Sequence, residues 1–322
     1  MTKAASRQGG CFLFLRGGIR TQIRLGLGFA NSNRQLKRLE RAVRSLYNNS
    51  KVTRPSAMQI AHKRLCVRAA SDGSKEDFPM QDRYTGDIGD YGKLGLLRCL
   101  AAAGLRVGVN WYRTPDEAHN EDGKFIQYVQ ASGKSSYRPY DPLLWDALAH
   151  IVNSGQRRVE SLETSDILDA VFYNEPLDFR EVSFRERTKE RSKWHSGALA
   201  ALNGCELVFV DPDNGLMVPS ARRSKKANKY VLPEELFAYY QQGASVVYYQ
   251  HKARRQDGFY IDQHNKLLQD ERIQGAEGLG LKFTRTSLRY YWFLLHPEHA
   301  ETVRRCVAFL LAGPWGNCFE LR

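Results

Sequence analysis

The 322-residue sequence has no run approaching the ~18 consecutive apolar residues that a membrane helix requires. It also has no C-x-x-C pair. Cys11, Cys66, Cys99, Cys205, Cys306 and Cys318 are scattered, which argues against a zinc ribbon and a dithiol redox motif. The expectation is free thiols in a reducing, cytoplasmic setting. No internal repeat and no low-complexity tract is visible, so a solenoid is not indicated.

Acidic residues are scarce only at the beginning. Residues 1–79 hold 16 Lys and Arg against 4 Asp and Glu, and nearly all of the net charge of +13 belongs to them. The remainder is nearly neutral and carries no bulk electrostatic footprint for a polyanion. The first 79 residues are expected to be a basic, disordered or non-native extension. Gly17, Gly18, Gly26, Gly28 and several arginines break the apolar stretch, and Leu36, Leu39, Val43 and Leu46 suggest one short amphipathic helix. An arm touching RNA or a membrane surface, an organellar targeting peptide, and a working start at Met80 are the competing readings.

From residue 80 onward the sequence alternates helical and strand patterns and predicts one α/β domain over 80–322. The helical patterns are DYGKLGLLRCLAAAG, DPLLWDALAHIVNSG, SFRERTKERSKWHSGALAALNG, LPEELFAYYQQG and PEHAETVRRCVAFLLAG. The strand patterns are LRVGVNWY, DAVFYNE, CELVFV and ASVVYYQH, with GLKFTRTS and RYYWFLLHP as a closing hairpin. Short apolar strands between helices favour a Rossmann-like, mostly parallel sheet with helices on both faces and a C-terminal antiparallel hairpin.

Ligands of such sheets bind outside the carboxyl ends of the strands. Three of those ends carry polar residues: RTPDEAHNEDGK after GVNWY, with Asp116 and His119; DPDNG after LVFV; and Gln250-His251 after VVYY. In DPDNG, two carboxylates, Asp211 and Asp213, cluster with Asn214 just past a buried strand. Pro212 cannot continue a ladder, and Asn214-Gly215 favours a turn. Candidate catalytic residues are Asp211, Pro212, Asp213, Asn214 and His251. In TGDIGDYGKLGLL, Asp87, Asp90 and Lys93 are spaced by three and share a helix face, with Asp87 also suited to capping. The basic run Arg222, Arg223, Lys225 and Lys226 is either a solvated loop or a contact for phosphates.

These stretches resemble the large-subunit ribosomal-RNA adenine-N6 methyltransferases, which carry A-G-N-x-A-D-x-x-K-x-x-x-L and, at the end of the fourth strand, D-P-P-[YF]. Gly86, Asp87, Asp90, Lys93 and Leu97 match the first pattern, and Asp211-Pro212 begin the second. The match spans roughly residues 83–250. The resemblance implies an S-adenosylmethionine cofactor, with Gly86, Asp87, Asp90, Lys93, Asn110, Asp116 and His119 around it. It also implies a nucleic-acid partner, with Asp211 orienting the amine of a flipped adenine. Asp213 and Asn214 replace the second proline and the aromatic residue, so another side chain must supply the stacking surface. No glycine follows the first strand, where that family has a Gly-rich turn. The chain also resembles a group of bacterial proteins sharing DRY-x-GD-x-x-D, GVNWY, DPDNG and YQH-like stretches, a likeness that implies no particular activity.

Two other classes fit the residues. Asp87, Asp90, Asp211 and Asp213, with His119 and His251, could hold Mg²⁺ or Mn²⁺ in a phosphoesterase or nuclease. A non-catalytic binding module on a degenerate methyltransferase fold is the third.

Overall fold

A computed structural model describes residue 82 and residues 84–114, 125–130 and 135–322. The expected extension over 1–79, together with Asp116 and His119, lies outside the described residues. Among them no helix is long and apolar enough to cross a membrane.

In chain order the main elements are α1 (Ile88–Ala102), β1 (Val107–Asn110), α2 (Gln127–Gln130), α3 (Pro142–Asn153), α4 (Val159–Thr164) and β2 (Ala170–Tyr173). They continue with α5 (Arg187–Ala201), β3 (Leu207–Val210), β4 (Gly215–Leu216), β5 (Tyr230–Val231), α6 (Pro233–Gln241) and β6 (Ser245–His251). The last are α7 (Asp257–Leu268), β7 (Glu277–Phe283), β8 (Arg289–Leu295), α8 (Pro297–Ala312) and β9 (Phe319–Leu321).

The seven-stranded sheet has the order β2-β1-β3-β6-β8-β7-β9. The first four strands are mutually parallel. β8 is antiparallel to both β6 and β7, and β9 is antiparallel to β7. Five of the seven strands therefore run the same way, and β9 takes the edge beyond the β7–β8 hairpin. The parallel half matches the doubly wound order 3-2-1-4-5-6 with no strand in the third place. The chain steps outward from β1 to β2, then returns across β1 to β3. The crevice at the carboxyl ends of β1 and β3 is thus the topological switch point, where α/β sheets bind ligands.

Period-two alternation divides the core between the two faces. Val107, Val109, Leu207, Phe209, Val247 and Phe293 face α1, α3 and α8. Val208, Val210, Val246, Tyr248 and Trp292 face α5, α6 and α7. The patterning missed α7 because it buries only Tyr260, His264 and Leu267, of which a single one is aliphatic.

Helix α1 is buried almost all round. Gly89, Gly92 and Gly95 recur every third residue along it. A Cβ at Gly92 would lie 2.4 Å from the Phe283 ring, and one at Gly95 would lie 2.3 Å from Trp315. Each glycine costs the helix about 1 kcal/mol relative to alanine. The stripe offsets that cost by letting α1 sit close against the sheet and the C-terminal segment.

Candidate active site

The first wall of the site begins at the entry to α1. Asp87 caps the helix, its carboxylate accepting the Asp90 N–H at 2.8 Å. Asp90 in turn accepts the Gly86 N–H at 3.1 Å, with Gly86 in the left-handed region at φ +79°. The backbone just before the helix is tied down from outside. The Tyr128 hydroxyl donates to the Gly86 carbonyl, and Arg157 Nε donates to the Thr85 carbonyl. One turn further on, Lys93 projects between two carboxylates, donating to Asp90 Oδ1 at 2.8 Å and to Asp211 Oδ2 at 2.6 Å.

The second wall is the end of β1. Asn110 and Val210 are opposite each other, and the Asp211 N–H donates to the Asn110 carbonyl at 3.0 Å. Trp111 and Asp211 therefore leave the sheet side by side. The Asn110 side chain accepts the Tyr112 N–H at 3.1 Å, an Asx-type turn. Tyr112 sits at φ +48°, a conformation that costs a non-glycine residue of order 1–3 kcal/mol. Buried partners hold it there. Its hydroxyl donates to Glu235 at 2.9 Å, and its ring meets Trp194 edge-on at 4.7 Å. The sharp bend expected from a Gly-rich turn is thus made without glycine. It directs Tyr112 toward α5 and α6 and leaves Trp111 on the α1 side, 5.3 Å from Lys93 Nζ, with its Nε1–H donating to Glu163.

The third wall is the DPDNG segment, which is both a tight turn and part of the cleft. Gly215 has φ +102°, and a Cβ there would meet Gln250 Oε1 at 2.3 Å. The Asn214 carbonyl accepts from the His251 N–H and from Gln250 Nε2, while its N–H donates to the Lys229 carbonyl. Asp213 approaches Thr114 Oγ1 at 3.5 Å and Lys229 Nζ at 3.6 Å. The turn is therefore clasped to β6 on one side and to the segment before β5 on the other.

These walls enclose a cleft of about 470 Å³, within the range of small-molecule sites. Four carboxylates, Asp87, Asp90, Asp211 and Asp213, line it with four cations, Lys93, Lys226, Lys229 and Arg289. Burial pushes the Asp211 carboxyl up to about 6, against the pull of Lys93. Burial, reinforced by the Asp90 charge, also raises Asp87. For Lys93, burial acts to lower the pKa, but Asp211 and Asp90 outweigh it and raise it.

Of the residues singled out from sequence, Asp87, Asp90, Lys93, Asp211, Pro212, Asp213, Asn214 and His251 line this cleft, and Gly86 lies between two lining residues. Asn110 does not reach it. Its amide is fully buried and donates to the Tyr239 hydroxyl at 2.9 Å on the α6 side, so it shapes the turn. In the basic run only Lys226 reaches the cleft. Lys225 donates to the Arg180 carbonyl, Arg223 is exposed, and Arg222 lines a separate depression beside α5. No group of three or more His, Cys, Asp or Glu suited to a metal ion occurs among the described residues. The space that a divalent ion shared by Asp90 and Asp211 would need is taken by the Lys93 ammonium.

The cleft also contains Trp111, Phe125, Tyr249 and Arg289, none of them expected from sequence. Trp111 and Tyr249 stand in the strand-end stretches GVNWY and YYQH, so the same rule applied to every residue there would include them. Arg289 escapes the rule because it opens an antiparallel strand. It pairs with His251, so the start of β8 lies at the rim formed by the ends of β1, β3 and β6.

No family model matches the chain, and no curated protein matches it. Among solved structures, it is similar to protein LPL1258 from Legionella pneumophila str. Philadelphia 1, described with the family model DUF519. The two share 11% identity over 74% of this chain and 96% of that one, with a TM-score of 0.36. At that score the likeness carries no inference about this chain.

Proposed function

We propose that the chain is an S-adenosylmethionine-dependent methyltransferase acting on an exocyclic amine of a nucleic-acid base. The observation that carries the reading is the position of Asp211-Pro212. This pair ends the strand beside the topological switch point, opens into the cleft, and is tied through Lys93 to the Asp87–Asp90 helix entry. The size of the cleft and its mixture of aromatic and charged walls fit such a cofactor.

When bound, the cofactor supplies an electrophilic methyl group on a sulfonium. The chain holds it with the wall formed by Gly86, Asp87, Asp90 and Lys93 and the Trp111 turn. Asp211 accepts an N–H of the substrate amine and so orients its lone pair. With a pKa of about 6, Asp211 is largely ionised at neutral pH and able to accept. Lys93 fixes one of its oxygens. Phe125 is 41% exposed at the cleft edge and offers the stacking surface that Asn214 lacks. Lys226 at the mouth, with Arg222, Arg223 and Lys225 outside, contacts phosphates on either side of the base.

The test is transfer of a labelled methyl group from S-adenosylmethionine to large-subunit ribosomal RNA by the full-length chain. Label should appear in N6-methyladenine and fall at least about 100-fold in Asp211→Ala, the scale of losing one transition-state contact. No transfer to any RNA or DNA, together with no calorimetric heat from S-adenosylmethionine, refutes the reading. Manganese heat lost in Asp211→Ala and Asp213→Ala would point to phosphoester chemistry.

A further inference from the structure

Arg289 is a buried cation that, among the described residues, makes no direct ion pair with a carboxylate. It is 7% exposed and lines the cleft. Nε donates to the Ser287 carbonyl and Nη2 to the Ser287 hydroxyl. Tyr249 and Phe283 flank the guanidinium, with ring centres at 5.9 and 5.7 Å. Among the described residues no carboxylate lies within ion-pair distance of it, and Nη1 makes no hydrogen bond.

The nearby acids are already engaged. Asp87 accepts the Asp90 N–H, and Asp90 is shared between Gly86 and Lys93. Asp87 and Asp90 favour the charge of the guanidinium from a distance, but neither is in contact with it, so its free edge is open to an anion in the cleft.

The fold also makes room for this cation. Nη1 lies 1.7 Å from where a Cβ would stand at Gly89, in the first turn of α1. Any side chain at that position would displace the guanidinium. The gap in α1 and the start of β8 are thus shaped to each other at the cleft.

We propose that Arg289 is the cleft's receptor for an oxyanion of the bound ligand, either a carboxylate or a phosphate. A planar guanidinium suits both, and a lysine would not reproduce its paired donors. The inference deepens the methyltransferase reading, in which the carboxylate would be that of the cofactor's amino-acid end. A phosphate would be that of the substrate nucleotide.

Calorimetric titration of the full-length chain separates the two sources. One arm compares S-adenosylhomocysteine with its decarboxylated analogue, and the other compares adenosine 5′-monophosphate with adenosine. In one arm the charged compound should bind at least about tenfold more tightly, a modest value for a charge-assisted pair. That preference should fall to about one in Arg289→Gln. It should fall likewise in Gly89→Ala, which keeps the charge and improves the helix but pushes the guanidinium aside. The Gly89 contact is with the end of a flexible side chain, so this variant keeps the test valid if Arg289→Gln does not fold.

A wild-type chain with no charge preference in either arm, or with no binding at all, overturns the proposal. So does a preference that survives in Gly89→Ala and Arg289→Gln. A preference for the monophosphate with silence toward S-adenosylhomocysteine upholds the oxyanion receptor and removes the methyltransferase. Binding of S-adenosylhomocysteine with no charge preference in either arm does the reverse.

Discussion

Replacing Lys93 by methionine leaves two buried carboxylates without their shared cation. Lys93 Nζ stands 2.8 Å from Asp90 and 2.6 Å from Asp211, and all three side chains are about nine-tenths buried. Removing one partner of a buried pair costs about 3–5 kcal/mol, because the remaining charge is uncompensated. Protonation sets the ceiling. Taking a carboxyl of ordinary pKa 3.8 to its neutral form at pH 7.5 costs about 5 kcal/mol, and at pH 5 it costs about 2 kcal/mol. Carboxyls whose folded pKa is raised favour the fold most below their unfolded value, and that contribution is lost as pH rises. The deficit of Lys93→Met relative to wild type should therefore be about 3–5 kcal/mol at pH 7.5 and shrink to about 2 kcal/mol or less at pH 5. Denaturant unfolding at the two pH values measures this directly. A deficit below about 1 kcal/mol, or one that does not change with pH, would show that the three groups are not coupled as the geometry indicates. Lys93→Met/Asp211→Asn should recover part of the loss, since it leaves one buried carboxylate instead of two.

Other outcomes follow from the same geometry. With Asp211 active as the carboxylate, methyl transfer should rise with pH through about 6, and the rate at pH 5 should be about one-tenth of the plateau; a flat profile from pH 5 to 7.5 would remove Asp211 from the reaction. Gly215→Ala combines a left-handed backbone with a 2.3 Å approach to Gln250, so it should cost about 1–3 kcal/mol and slow methyl transfer by moving Asp213 and Asn214. Wild-type stability together with an unchanged rate would show that the turn does not set the site. His264 is stacked on Trp292 at 4.8 Å, and burial depresses its pKa to about 4. Because the unfolded chain binds that proton first, stability should fall by about 2 kcal/mol from pH 7 to pH 5 on this account. The fall should be smaller in His264→Leu, measured by urea unfolding at both values.

Much of the architecture was legible because strands buried on both faces read as short apolar runs, and LVFV and SVVYYQ do so. The closing hairpin was legible too, although β9 takes the edge beyond it. Helix α7 was hidden by its polar buried face, and the short strands β4 and β5 left no pattern to read. The rule about strand ends brought Asp211 and His251 to one rim, whereas Asp87 and Lys93, at the start of α1, were singled out by their spacing and by the family resemblance. Three other parts of the site did not follow from that rule. Asn110 turns away because a β strand alternates faces, and its own face is the one covered by α6. The left-handed Tyr112 has no local signal, since Glu235, far along the chain, secures it. Arg289 enters the rim through an antiparallel strand, which a rule for parallel strands ignores. Gly89, Gly92 and Gly95 were visible as residues, but their purpose depends on partners almost 200 positions or more away.

A crystal structure of the full-length chain with S-adenosylhomocysteine tests the central claim most directly. The account predicts ligand density in the crevice between Trp111 and Asp211, bounded by Asp87, Asp90 and Lys93. Density elsewhere on the chain, or an empty crevice at saturating ligand, would contradict it.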